Sequence, residues 1–129
     1  MKGLFVVVLF CIAIVWGGGA FAQTQGQMNE QAGRYLSVAN HDLATAIQAY
    51  RERLRGAQRD TFDKSQIAWE SYRRAACNFE SSGVSGGSAR PMVMAACFES
   101  IARDRLKYIE ALSTCQEGDL SCPAWKKGI

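Results

Sequence analysis

Apolar residues recur at steps of three and four along a long stretch of the chain, which is the spacing that lines one face of an α-helix. The first such stripe begins at Met28 and ends at Leu54, and Gly56 follows it as a helix stop. Its members are Met28, Ala32, Tyr35, Ala39, Leu43, Ala46, Tyr50 and Leu54. Leu36 and Ile47 widen the stripe, so we expect the first helix to pack against two other helices.

Two more helices are predicted after the first. Asp60 is a suitable N-cap for the second, whose apolar positions extend to Phe79. Pro91 suits the first turn of the third, whose apolar positions extend to Leu112. Residues 81–88 between them are glycine, serine and one valine, a composition that predicts a flexible connection. Since no strand-like alternation is found, we expect an all-α fold, an antiparallel three-helix bundle with a disulfide-braced helical hairpin and a short crosslinked C-terminal tail.

The beginning of the chain has the pattern of an export signal. Lys2 precedes an apolar run from Leu4 to Val15, and residues 20–22 have the small-x-small pattern of a cleavage site. We therefore expect residues 1–22 to be a cleaved signal peptide and residues 23–129 to form one helical domain in the periplasm or outside the cell. A membrane anchor is the alternative, but the uncharged stretch reaches about 20 residues only if glycines 17–19 and the cleavage site are counted. No stable membrane insertion is expected after cleavage.

The cysteines support an exported domain. Cys11 lies inside the apolar run and is expected to leave with the signal peptide, and four cysteines remain. An even number in a small exported domain predicts disulfides. Of the three possible pairings, antiparallel packing of the second and third helices favours Cys77 with Cys97, which leaves Cys115 and Cys122 to tie the tail. A zinc site or a redox pair is the alternative, but the C-x-x-C spacing is absent, so no metal ion and no cofactor is expected.

Charge and motifs argue against several classes of function. Loss of Lys2 with the signal peptide lowers the net charge from +3 to +2, and the two signs are interspersed, so neither nucleic-acid binding nor membrane-surface binding is expected. Gly-x-Ser-x-Gly, His-Glu-x-x-His and phosphate-binding loops are absent from the sequence. His41, the single histidine, is expected to be solvated on a helix surface. We therefore predict a protein that is not an enzyme, with a small hydrolase as the weaker alternative.

Four aromatic side chains surround the predicted Cys77 to Cys97 bridge, and we expect them to form core rather than a ligand platform. They are Trp69, Tyr72, Phe79 and Phe98. Arg73 and Arg74 follow Tyr72 directly. One of the two arginines is expected to bury its stem and expose its charged head, and the other to be solvated, with solubility and local ion pairing as their role.

The Gly/Ser segment has two interpretations. It is either a plain connector or a flexible binding loop, a finger whose base is anchored by the disulfide. In the second interpretation the finger presents backbone groups and two side chains, Ser88 and Arg90, to the cleft of a partner protein. The guanidinium of Arg90 suits a cleft that carries carboxylates. The candidate partner-binding residues are Ser85, Gly86, Gly87, Ser88 and Arg90.

Several segments together resemble the LprI-type lysozyme-inhibitor domain of small exported bacterial proteins. The matching segments are residues 28–32, residues 66–77 with their Trp, Tyr-Arg and Cys, residues 86–92 with Gly-Gly-Ser-x-x-Pro-Met, Cys97, and Arg103-x-Arg105. The resemblance spans about residues 27–112. Gln31 stands where the family commonly has a cysteine, so we expect the N-terminal bridge of some relatives to be absent and packing alone to hold the first helix.

The resemblance implies a protein partner, namely lysozyme or another peptidoglycan hydrolase whose cleft the domain occludes. The alternative is a structural or protein-interaction module of the bacterial envelope that has no inhibitory activity. Such a module would bind another protein through an exposed face of its first or third helix.

Overall fold

Three α-helices make up most of the protein. The computed structural model describes residues 23–123, in which α1 is Gln25–Arg53, α2 is Gly56–Glu80 and α3 is Arg90–Thr114. A short 3-10 turn, Ser82–Val84, lies between α2 and α3, and no strand occurs within residues 23–123. The prediction of an all-α bundle with a crosslinked tail is confirmed, whereas the predicted signal peptide lies outside the described residues.

The helices run up, down and up. Gln25 lies against Met92 at one end of the bundle, and Nη1 of Arg53 donates to the carbonyl of Ser113 at the other, at 2.8 Å. The N-terminal ends of α1 and α3 thus lie side by side, and so do their C-terminal ends. The two helices are therefore parallel and pack along most of their length. The short connections place α2 antiparallel to both.

Helix starts follow local capping chemistry. Thr24 caps α1, because its hydroxyl accepts from the backbone N–H of Gln27 at 3.2 Å while the Gln27 side chain accepts from the Thr24 N–H at 2.8 Å. Pro91 occupies the first turn of α3, as predicted. The prediction of Asp60 as the N-cap of α2 is wrong. Gly56 adopts a φ of +48°, which lets the chain reverse within two residues, and α2 therefore begins at Gly56.

The core lies between α1 and α3 and is closed by the first half of α2. Ala39 and Ala102 are fully buried, and small side chains at these positions let α1 and α3 approach closely. The larger members gather toward the turn between α1 and α2. They are Leu43, Tyr50, Leu54, Phe62 and Ile109. The rings of Tyr50 and Phe62 meet edge to face with centroids 5.3 Å apart.

The predicted aromatic core is only partly present. Trp69 packs against the core, and Phe98 is half-buried. The prediction is wrong for Tyr72 and Phe79, whose exposed fractions are 62% and 79%. The buried face of α2 is occupied by Arg73 instead, and Tyr72 precedes Arg73 by one residue, which turns it about 100° away from that face.

Arg73 is a buried cation that touches all three helices. Its side chain is 8% exposed, and its Nη2 donates to Oδ1 of Asn40 on α1 at 2.7 Å and to the carbonyl of Phe98 on α3 at 2.9 Å. The guanidinium carbon lies 5.3 Å from the Trp69 ring centroid and 4.9 Å from that of Phe98. Glu70 lies 3.5 Å from its Nη1.

The two adjacent arginines therefore differ, and only one behaves as predicted. Arg74 is 58% exposed and pairs with Glu70 at 3.5 Å, which fits a solvated residue with local ion pairing. The expectation that the other arginine exposes its head is wrong. The partners that bury the head of Arg73 lie on α1 and α3, so its role is to join helices rather than to improve solubility.

Replacement of the buried cation should destabilise the bundle. We expect Arg73→Ala to lower the free energy of unfolding by about 3 kcal/mol, because charge-assisted hydrogen bonds and two stacking contacts are lost. The exposed neighbour is the control, and Arg74→Ala should cost less than about 0.5 kcal/mol. Urea denaturation followed by circular dichroism measures both values. Equal losses for the two variants would contradict the role assigned to Arg73.

An ion pair fastens the turn between α1 and α2. Arg51 binds Asp63 with two hydrogen bonds, Nε to Oδ1 and Nη2 to Oδ2, each 2.7 Å long. The hydrogen bond from Arg51 holds the pKa of the Asp63 carboxyl below its ordinary value. A depressed pKa means that the pair stabilises the fold above the unfolded-state pKa, and this contribution is lost as the pH falls through the folded-state pKa.

Removal of the arginine should therefore be visible in the titration of the carboxyl. In Arg51→Gln we expect the pKa of Asp63 to rise toward the ordinary value of about 3.9, measured by carboxyl-carbon NMR. Arg34, which pairs with Glu30 elsewhere on α1, supplies the matched control. Arg34→Gln should leave the Asp63 titration unchanged, and an unaltered curve in Arg51→Gln would refute the assignment.

Candidate functional site

The loop between α2 and α3 is folded into consecutive turns. It begins at Ser81, which is fully buried and whose N–H donates to the carbonyl of Cys77 at 3.0 Å. Four further backbone bonds close the turns. They are Val84 N–H to Ser81 carbonyl, Ser85 N–H to Ser82 carbonyl, Gly87 N–H to Val84 carbonyl, and Arg90 N–H to Gly87 carbonyl. The backbone groups of this segment thus bond largely among themselves.

Two glycines shape the tip of this loop. Gly86 has a φ of +77°, in the left-handed region that favours glycine. A Cβ on Gly87 would lie 3.2 Å from the Val84 carbonyl oxygen, so a larger residue would press on the turn. The Gly-Gly pair is therefore required by the local backbone, quite apart from any partner.

The predicted partner-binding residues lie on one surface, but they differ in how far they are exposed to solvent. Ser85, Gly86, Gly87 and Ser88 are exposed. Arg90 is half-buried and lines a shallow depression with Gly86, Gly87, Pro91 and Met94. Its Nε is buried and has no hydrogen-bond partner among the described residues. Their role in binding stays a prediction, and Arg90 needs a side-chain movement to reach a partner fully.

Both ends of the loop are anchored. Cys77 and Cys97 form a disulfide with their Cα atoms 5.6 Å apart, and both cysteines are buried. On the opposite side, Nδ2 of Asn29 on α1 donates to the carbonyl of Ser88 at 3.0 Å. The disulfide was predicted from the sequence. The part played by Asn29 was not, although Asn29 belongs to the first of the segments that resemble the family.

The neighbourhood of the loop offers several hydrogen-bonding groups. Hydroxyls, backbone groups and one guanidinium are presented there, and His41 is exposed on α1. Among residues 23–123, no cluster of three or more His, Cys, Asp or Glu side chains could hold a metal ion. None of the helices in that range is long and apolar enough to span a membrane. The second predicted disulfide, between Cys115 and Cys122, is also formed.

These features define a small disulfide-braced helical domain that exposes an anchored loop, and its disulfides fit an exported protein. The model of one protein family, described as lysozyme inhibitor LprI, matches residues 19–109, so the chain belongs to the LprI lysozyme-inhibitor family. No curated protein and no solved structure matches the chain. The family match includes Asn29, the loop and the Cys77–Cys97 disulfide, and it ends before Cys115.

Loss of the Cys77–Cys97 disulfide should loosen the loop and lower stability. The two cysteines are 20 residues apart, a closure that corresponds to about 3 kcal/mol in the chain-entropy treatment. We expect the double variant Cys77→Ser/Cys97→Ser to lose about this much unfolding free energy and to exchange its loop amide hydrogens faster. Chemical denaturation and hydrogen exchange measure the two effects.

The second disulfide supplies the control for this experiment. Cys115 and Cys122 are only 7 residues apart, so Cys115→Ser/Cys122→Ser should cost about 2 kcal/mol or less. It should leave loop exchange as in the wild type, because the tail lies at the other end of α3. Faster exchange in the loop of this control would show that the Cys77–Cys97 disulfide is not the specific anchor.

Proposed function

We propose that the mature protein is exported and inhibits a lysozyme-type peptidoglycan hydrolase by placing the loop of residues 85–90 in the catalytic cleft. The observation that carries the proposal is the exposed loop, anchored by the Cys77–Cys97 disulfide and by Asn29, in a chain of the lysozyme-inhibitor family. The domain itself performs no catalysis in this proposal.

The form of the loop suits occlusion. It projects at one end of a rigid hairpin, and its turns are held by their own backbone bonds, so binding costs little conformational entropy. Glycines at the tip allow close approach of the backbone to the walls of a cleft. The cleft of a lysozyme carries two carboxyl groups, and Arg90, whose Nε lacks a partner in the bundle, can bond to a carboxylate.

Local contacts rather than long-range attraction govern this binding. A mature net charge of +2 with interspersed signs produces little electrostatic steering. Inhibition should accordingly depend only weakly on salt, apart from the contribution of Arg90.

The test is an assay of lysozyme on a suspension of cell walls. Purified residues 23–129 should slow the clearing, and Arg90→Ala should raise the inhibition constant about tenfold through loss of one charge-assisted hydrogen bond. A variant lacking Gly86 and Gly87 should lose inhibition. Arg74→Ala is the matched control, since Arg74 is an exposed arginine on α2 away from the loop, and it should inhibit like the wild type.

Two outcomes would contradict different parts of the proposal. Absence of inhibition at high molar excess against several lysozyme types would refute the inhibitor function. Inhibition that the loop variants leave unchanged would refute the assignment of the loop.

A second candidate function, an envelope interaction module without inhibitory activity, is favoured by the exposed side chains of Tyr72 and Phe79. With Ala68 and Ala75 they form a stripe along the outer face of α2, rather than on α1 or α3 as expected. The double variant Tyr72→Ser/Phe79→Ser separates the functions. The second candidate would be favoured if the wild type bound an envelope protein without inhibiting lysozyme, and if the double variant no longer bound that protein.

A further inference from the structure

A cleft lies at the end of the bundle opposite to the loop. It has a cavity volume of about 430 Å³ and is bounded by the end of α1, the beginning of α2, the end of α3 and Pro123 of the tail. The lining residues are Tyr50, Leu54, Ala57, Gln58, Thr61, Phe62, Ser65, Tyr108, Leu112 and Pro123. At a rise of 1.5 Å per residue along α3, the cleft is about 30 Å from the loop, so the two surfaces are independent.

The tail forms one wall of this cleft and is held in place. Nε2 of Gln58 donates to the carbonyl of Pro123 at 2.6 Å, and the adjacent Cys122 is crosslinked to Cys115 at the end of α3. The wall is therefore fixed to both α2 and α3. Such a fixed wall gives the cavity a defined size.

The lining is apolar and uncharged. Apolar atoms make up most of its surface, and within residues 23–123 no charged side chain lines it. Pockets that bind small molecules typically have a volume of about 300–1,000 Å³ and an apolar lining with few polar groups. This cleft falls at the lower end of that range, which suits one or two rings and is too small for a helix of a partner protein.

One buried polar group in the lining lacks a partner among the described residues. The hydroxyls of Thr61 and Ser65 donate to the carbonyls of Ala57 and Phe62, and Gln58 bonds to the tail. The hydroxyl of Tyr50 is buried and unpaired among the described residues, in a side chain that is 1% exposed. Burial raises the pKa of Tyr50, so this hydroxyl is protonated near neutral pH and can donate.

We propose that the cleft binds a small neutral molecule of one or two rings that carries one hydrogen-bond acceptor, and that the hydroxyl of Tyr50 donates to this acceptor. The uncharged lining excludes an ionic ligand, because burial of an unpaired charge is strongly unfavourable. The unpaired hydroxyl favours an acceptor over a pure hydrocarbon, because a ligand carbonyl satisfies a donor that otherwise stays desolvated. The hydroxyl is buried in the free protein, so this contact requires the phenol to move when the ligand binds.

Two probes of nearly equal shape test the proposal. Acetophenone has a carbonyl where α-methylstyrene has a CH₂ group, so their difference isolates the hydrogen bond. In NMR titrations of the full mature chain, both should shift the amide signals of the lining residues saturably, and acetophenone should bind more tightly. Tyr50→Phe should weaken acetophenone about fivefold, the worth of one neutral hydrogen bond, and leave α-methylstyrene unchanged.

A steric variant with a matched control completes the design. Ala57 lies in the lining and Ala49 does not, and both are exposed alanines on helices. Ala57→Phe should abolish the binding of both probes, and Ala49→Phe should leave it as in the wild type. Inhibition of lysozyme should be the same in both variants, so this test is separate from that of the loop.

Three results would overturn the proposal. The first is the absence of saturable shifts at the lining residues. The second is an equal effect of Tyr50→Phe on the two probes. The third concerns residues 124–129, which lie outside the described part of the chain. If Trp125→Ala bound the probes at least about tenfold more tightly than the wild type, the chain's own tail would occupy the place assigned to the ligand.

Discussion

The buried guanidinium of Arg73 is the contact on which the arrangement of the helices depends. A charge removed from water is costly unless it is paired and hydrogen-bonded. The ion-pair partner of Arg73, Glu70, lies on α2 itself, but its hydrogen-bond acceptors come from the other two helices, Asn40 on α1 and the Phe98 carbonyl on α3. The rotation of α2 about its own axis is fixed by that requirement. Cys77 lies one turn after Arg73 on the same face, and the same rotation turns it toward Cys97.

The anchoring of the loop follows from this rotation. The Cys77–Cys97 disulfide joins α2 to α3 where the loop begins, and Asn29 holds the loop from α1. Two family-like segments that are far apart in the sequence, residues 28–32 and 86–92, thus meet at one end of the bundle. A loop with glycines at its tip keeps a defined form because its ends are fixed on all sides, which is the condition for binding without a large loss of entropy.

Structural features that depend on the local sequence pattern are predicted correctly, whereas features that depend on contacts between residues distant in the sequence are not. Helical periodicity identified three helices, and the antiparallel hairpin gave both disulfides. The helical periodicity also assigned Tyr72 and Phe79 to the core, which is wrong. Periodicity considers only apolar residues, so it does not indicate that a cation occupies the buried face of α2. The partners of Arg73 are 33 and 25 residues away in the chain, and the sequence pattern carries no sign of them. The loop between α2 and α3 was located, but its hydrogen bond to Asn29 is likewise long-range.

The two disulfides lie toward opposite ends of α3, and only one of them falls within the part of the chain that the family model matches. Cys77 and Cys97 lie within the part matched by the family, as does the loop that they anchor. Cys115 and Cys122 lie beyond residue 109, and they fix the tail that walls the cleft beside Tyr50. The loop therefore lies inside the part of the chain that the family model matches, whereas the cleft depends on a crosslink outside it. The bundle can carry both surfaces because they lie about 30 Å apart and share no side chain.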